Sequence, residues 1–138
     1  MQRLFAIIFF FTILIGCKKE SSVQLSPSGT FQYLAFDTVG TLIVSGWMAI
    51  SIQDSTHISG EWHFKKEGNP QNIGPQTGNG SLVGGFANGQ LQINLNPNYV
   101  DNNVFLAGQM QATSYSGTWI WSGYPGLINR GNFQAIRR

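Results

Sequence analysis

At 138 residues the chain has material for one domain, and it combines 42% hydrophobic and 13% aromatic residues with 10% charged residues and a net charge of +2. The near-neutral balance, without a basic cluster, excludes nucleic acid as a partner, and the apolar content excludes a disordered chain. Polarity comes from amides, 22 Asn and Gln in all, and the 17 glycines beside so many aromatics predict an all-β domain with many tight turns.

The first element is not part of that domain. Arg3 precedes an apolar run from Leu4 to Ile15, interrupted only by Thr12. As a helix this run spans about 18 Å, short of the ~30 Å hydrocarbon core of a bilayer, so it reads as a secretory signal over residues 1–16 and not as a membrane span. Its end, Leu14-Ile15-Gly16-Cys17, resembles the lipobox of bacterial lipoproteins. The resemblance implies cleavage between Gly16 and Cys17, a diacylglyceryl group on the Cys17 sulfur, and in many bacteria a third acyl chain on the freed amine. Two or three such chains give stable membrane anchoring where one does not. Cys17 is the single cysteine, so no internal disulfide can form and its presence next to a signal has a reason. Lys18 stands where the best-known sorting rule would need Asp for inner-membrane retention, which implies the outer membrane of the cell envelope, with the periplasmic or surface face left open. Residues 17–28, polar and carrying Pro27, are expected to form the lipidated N-terminus and a short tether.

From residue 29 to 138 no window holds apolar residues at helical spacing across three turns free of Gly and Pro. Alternation is clear instead: Leu42, Val44, Met48, Ile50 and Ile52 share one parity, and Leu91, Ile93 and Leu95 face away from Gln90, Gln92 and Asn94. Eight strands are predicted, near 30–37, 41–53, 57–65, 81–87, 90–96, 104–112, 115–122 and 130–137. Asn88-Gly89 is the strongest hairpin signal, because a type I′ turn needs positive φ at both central residues. A Gly-x-large apolar triplet recurs along the strands, at Gly29, Gly46, Gly60, Gly84, Gly108, Gly117 and Gly131. Glycines on the inward face let a strand coil and let a neighbour approach.

This pattern predicts an antiparallel up-and-down meander closing into a small barrel of about eight strands, which removes exposed edges; a two-sheet β-sandwich is the alternative. An outer-membrane barrel would need an apolar outer face, whereas the face opposite the aromatics carries Gln90, Gln92, Asn94, Gln109, Gln111 and Gln134. The chain resembles small eight-stranded barrels of the avidin and lipocalin type, with Ser116–Gly123 (SGTWIWSG) the closest local match. No set of ligand-binding polar residues carries over with that resemblance. The stretches INLNPNYVDNNVFLAG, SGTW and GNFQAIRR also resemble small uncharacterised exported bacterial domains.

A meander gives the barrel two unlike ends. Connections 54–56, 88–89 and 113–114 are short and share an end with both domain termini, where Arg137 and Arg138 are expected near anionic head groups. Connections 66–80, 97–103 and 123–129 are longer and form the opposite end, where Tyr99, Asp101 and Tyr124 are candidates for contact. An inward set of Phe31, Tyr33, Met48, Trp62, Phe64, Phe86, Met110, Trp119, Trp121 and Phe133 either fills the lumen or leaves a small pocket, since a barrel of this size does one or the other. The candidate ligand-binding residues are therefore Trp62, Trp119, Trp121, Tyr99 and Tyr124.

Chemistry is hard to place. His57, Glu61 and His63 share a parity, but His57 and Glu61 stand some 13 Å apart along a strand and cannot converge with His63 on one metal. No Gly-x-Ser-x-Gly elbow occurs and the carboxylates are scattered, so no catalytic residue, cofactor or metal is assigned. The expectation is a non-catalytic envelope lipoprotein, membrane-bound through its N-terminal lipid. It would serve a structural role or act as an interaction module whose distal loops contact a protein, a glycan or a small apolar ligand. The alternative is a small-molecule-binding barrel with an aromatic lumen.

Overall fold

The structure is a computed structural model that describes residues 25–138; the signal, Gly16, Cys17 and the first part of the tether lie outside the described residues. Eight antiparallel strands follow in chain order: β1 (Gly29–Phe36), β2 (Leu42–Ile52), β3 (His57–Lys66), β4 (Gly78–Ala87), β5 (Gln90–Asn94), β6 (Asn102–Met110), β7 (Ser114–Gly123) and β8 (Gly126–Arg137). Each pairs with its neighbours in sequence, and β1 pairs with β8 from Phe31↔Arg137 to Phe36↔Asn132, closing a barrel. The meander is therefore a barrel and not a sandwich.

The parity read from sequence is the parity of burial in the middle of the strands, while at the two ends of β2 Leu42 and Ile52 are exposed and Ile43, of the opposite parity, is buried. Val44, Met48 and Ile50 point inward on β2, Leu91 and Ile93 on β5, and Val104, Leu106 and Met110 on β6, while Gln90, Gln92, Gln109 and Gln134 lie outside. Asn88 and Gly89 both take positive φ, 51° and 77°, as the hairpin requires.

Four connections differ from expectation. β8 begins at Gly126, four residues early, because Gly123 pairs with Gly126 around Tyr124-Pro125 and Gly126 adopts φ 97°. The expected long loop over 123–129 is thus a two-residue turn. β5 stops at Asn94 and β4 starts at Gly78, so the two pair only from Val83 to Ala87. β6 runs from 102 to 110, not 104 to 112, leaving Ala112 in an exposed turn.

The recurrent glycines have a steric cause. A Cβ at Gly60 would overlap the carbonyl oxygen of Ala49 on β2, and one at Gly117 would overlap that of Ala107 on β6. Gly46, Gly84, Gly108 and Gly131 meet a neighbouring strand's carbonyl oxygen in the same way. At these points the strands bend sharply enough for one backbone to occupy the space of the other's side chain, which lets eight strands close on so small a lumen.

That lumen is packed. Trp62 stacks on Phe64 at 4.9 Å, Phe64 on Tyr33 at 4.2 Å, Tyr33 on Phe133 at 5.9 Å, and Phe133 meets Tyr115 edge-on at 4.7 Å. Phe31, Met48, Leu82, Leu106 and Trp119 fill the space around this aromatic column. Of the expected inward set, Phe86 and Trp121 are only partly buried, at the margins of the core.

Candidate functional site

The end that carries the domain's termini is built to be tight. Its turns, 53–56, 88–89 and 111–113, hold small and polar residues. Asp54 caps the first: its carboxylate accepts from the Thr56 and His57 backbone N–H groups and lies 2.9 Å from His57 Nδ1. These contacts, the Thr56 N–H first, hold the Asp54 carboxyl far below the usual carboxylate range. Thr56 Oγ1 also approaches His57 Nδ1, at 3.2 Å. A base relay needs hydroxyl and carboxylate on opposite ring nitrogens; here both sit on the same one, so the trio is a turn and not a triad.

The last residues of the expected tether are docked at this end. Pro27 is buried and Leu25 packs against the core. The Arg137 guanidinium donates to the carbonyl oxygens of Ser26 and Ser28 and lies 4.8 Å above the Phe31 ring. Arg137 thus fastens the incoming chain to the barrel, and Arg138 beside it is exposed.

The opposite end is made of loops 37–41, 67–77 and 95–101 and the turn 124–125. Loop 67–77 folds over the barrel mouth. Ile73 enters the core, and Gln76 is fully buried, accepting from the Tyr33 hydroxyl at 3.1 Å and donating to Ile73 O at 2.6 Å. Asn129 Nδ2 donates to Asn72 O, Asn96 Nδ2 donates to Pro75 O, and Gly74 lies directly against the Trp121 ring. The mouth is thus plugged by its own longest loop.

Around that plug the rim carries exposed apolar side chains among polar ones such as Thr38, Asn98 and Asp101. Val39, Tyr124 and Val100 are 85%, 90% and 91% exposed, with Leu127 and Tyr99 at 59% and 63%. They come from loops 37–41 and 95–101, the turn 124–125 and the start of β8, which are neighbours around the rim because β1 adjoins β8 and β6 adjoins β7.

The candidate residues therefore divide. Trp119 is fully buried with its N–H donated to Phe36 O at 2.8 Å; Trp62 is almost so, donating to Leu95 O at 2.7 Å and Ser81 O at 3.2 Å. Trp121, partly buried, donates to Asn102 Oδ1. Tyr99 and Tyr124 stand on the rim, and Asp101 is an exposed residue of loop 95–101. Trp62 and Tyr99 come together along one cleft of about 380 Å³ between residues 75–81 and 95–102. Trp119 and Tyr124 do not line it. His63 stacks on Trp47 at 4.5 Å, and among the described residues no three His, Cys, Asp or Glu side chains gather for a metal.

Gln76, Asn96, Asn98 and Asn102 were not singled out in the sequence. Each is one amide among many; Asn96, Asn98 and Asn102 meet only where β4 and β5 part, while Gln76 is buried against Tyr33 and does not line the cleft. The chain matches no family model, no curated protein and no solved structure.

Proposed function

We propose that the protein is a non-catalytic lipoprotein of the bacterial cell envelope, an interaction module displayed from a lipid on Cys17 at the outer membrane. The observation that carries this reading is the contrast between ends: the exposed apolar side chains of Val39, Val100, Tyr124 and Leu127 lie opposite the end where residues 25–28 enter the barrel. Several large apolar side chains exposed at one end of a small domain favour contact with another molecule. The plugged, packed lumen turns attention from the interior to the rim, and Leu14–Cys17 supports the anchor.

The small-molecule alternative draws support from the cleft beside Trp62 and Tyr99, on the outside of the barrel rather than within it.

Growing cells with an alkyne-tagged fatty acid tests the anchor. The wild-type chain should take up the tag, and Cys17→Ser should lose it and shift to the soluble fraction. Equal labelling of both would overturn the anchor. Native mass spectrometry of the soluble chain should show the bare mass; a bound mass of a few hundred daltons that disappears on denaturation would favour the ligand-binding alternative.

A further inference from the structure

β4 pairs with β3 from Gly78 onward but with β5 only from Val83, so Gly78–Leu82 have a strand neighbour on one side alone. The open side is the 380 Å³ cleft, a size within the ~300–1,000 Å³ range of small-molecule sites. It is not a slot for an added peptide strand. The Trp62 N–H bridges Ser81 O on one wall and Leu95 O on the other, and Asn96 ties loop 95–101 to Pro75 O. These ties divide the gap into a short, bounded site.

Its chemistry is uniform. No charged residue lines it. Asn79, Asn98 and Asn102 are exposed along it, and because Asn102 Oδ1 accepts from Trp121 Nε1, its Nδ2 is directed elsewhere as a donor. Tyr99, 63% exposed, adds an aromatic ring to the wall.

We infer that this cleft binds a neutral sugar unit of a glycan. A pyranose presents hydroxyls that donate and accept together, and an Asn amide offers two donors and an acceptor to match them. Its C–H face packs on an aromatic ring. Uronates, phosphates and sulfates would lose hydration here without gaining a counter-charge. The inference rests on the reading of the protein as an interaction module and names its ligand class.

The test uses the full chain, purified in a zwitterionic detergent free of sugar, on an array of neutral and acidic oligosaccharides. Saturation-transfer NMR follows with maltotetraose, chitotetraose, mannotetraose and tetragalacturonate. Neutral saccharides should be retained, with transfer to their ring C–H protons. Tyr99→Ala and Asn98→Asp should each weaken binding at least tenfold, and Gln134→Ala, on the outer face of β8 away from both cleft and rim, should leave it unchanged. Both tested side chains are exposed, so these variants keep the fold, which thermal unfolding would verify. Failure to retain any neutral saccharide, undiminished binding by Tyr99→Ala, or preference for tetragalacturonate would overturn the inference. A protein partner docking on the rim with no saccharide bound would overturn it and leave the interaction module standing. A saccharide bound and then cleaved would do the reverse, sinking only the non-catalytic reading.

Discussion

The two buried tyrosines reach toward opposite ends of the barrel and are satisfied in different ways. The Tyr115 hydroxyl donates to Leu91 O, a backbone oxygen within the strand ladder, at 2.8 Å. The Tyr33 hydroxyl donates to Gln76, a side chain carried in by loop 67–77. The first arrangement needs only the sheet. The second needs a loop to arrive and stay. The same division runs through both ends: one is a set of short turns with Arg137 clamping the incoming chain, and the other is a plug held by scattered amides beneath an exposed rim. Short turns and a clamped chain gather at one end of the molecule, and exposed apolar side chains at the other.

The comparison can be broken by pH. Burial, with Tyr115 as a neighbouring like charge, pushes the Tyr33 hydroxyl well above its ordinary value, and burial alone pushes Tyr115 far up. Both folded values exceed the unfolded value near ~10, so their contribution is fully present below that pH and is lost as pH rises beyond it. Unfolding midpoints should therefore fall steeply above about pH 10, with ionisation of the two buried rings, followed by ultraviolet absorbance, appearing only as the chain unfolds. Early ionisation of one ring would show that its end opens independently.

Next in size is Gln76→Ala. It removes the partner of a buried hydroxyl and leaves a void, a loss of about 3 kcal/mol. Hydrogen exchange should increase over 72–76 and stay unchanged in the turns at the other end. Arg137→Ala should cost about 2 kcal/mol, the scale of hydrogen bonds from a charged donor, and should expose residues 25–28 to protease while the plug stays closed. If either variant loosened both ends together, the contrast between them would be wrong.

The smallest effects belong to exposed groups. Val100→Ser and Tyr124→Ser should change stability by no more than about 0.5 kcal/mol, although both residues are large and apolar. Acid should act mildly at both ends. Asp37 is held below its ordinary value by the Thr41 N–H first, Asp54 by the Thr56 N–H, and Glu67 by the Ser45 hydroxyl and then Lys65. A lowered folded value contributes stability above the ordinary carboxylate range, and that stability is lost as pH falls through the folded values. The thermal midpoint should drop between about pH 5 and pH 2, and Asp54→Asn should flatten part of that slope.

Most of the barrel is legible in the chain because period-2 alternation and backbone sterics are local. Val44 to Ile50, Asn88-Gly89 and the spaced glycines each state their geometry without reference to distant residues. Gly123-Tyr-Pro-Gly126 misleads because a Pro beside two glycines suits a loop as well as a tight turn, and only the pairing of β7 with β8 decides. The plug is harder still. Asn72-Ile-Gly-Pro-Gln76 has the composition of a solvated loop, and nothing local marks Gln76 as the partner of Tyr33, 43 positions earlier. The cleft depends on β5 ending at Asn94, two residues before the end that Leu95-Asn96 suggest by continuing its alternation.

Seven of the eight strand pairings join consecutive strands and so close short loops. The eighth joins Phe31 to Arg137, across nearly the whole barrel. Closing so long a segment costs chain entropy before any contact repays it, so the β1–β8 seam is expected to form last and to set the pace of folding. Until β8 has been delivered, the other strands form only an open, curled sheet with two unpaired edges. Arg137, within the last strand to arrive, then grips Ser26 and Ser28 as the seam closes, latching completed folding to the fastening of the incoming chain.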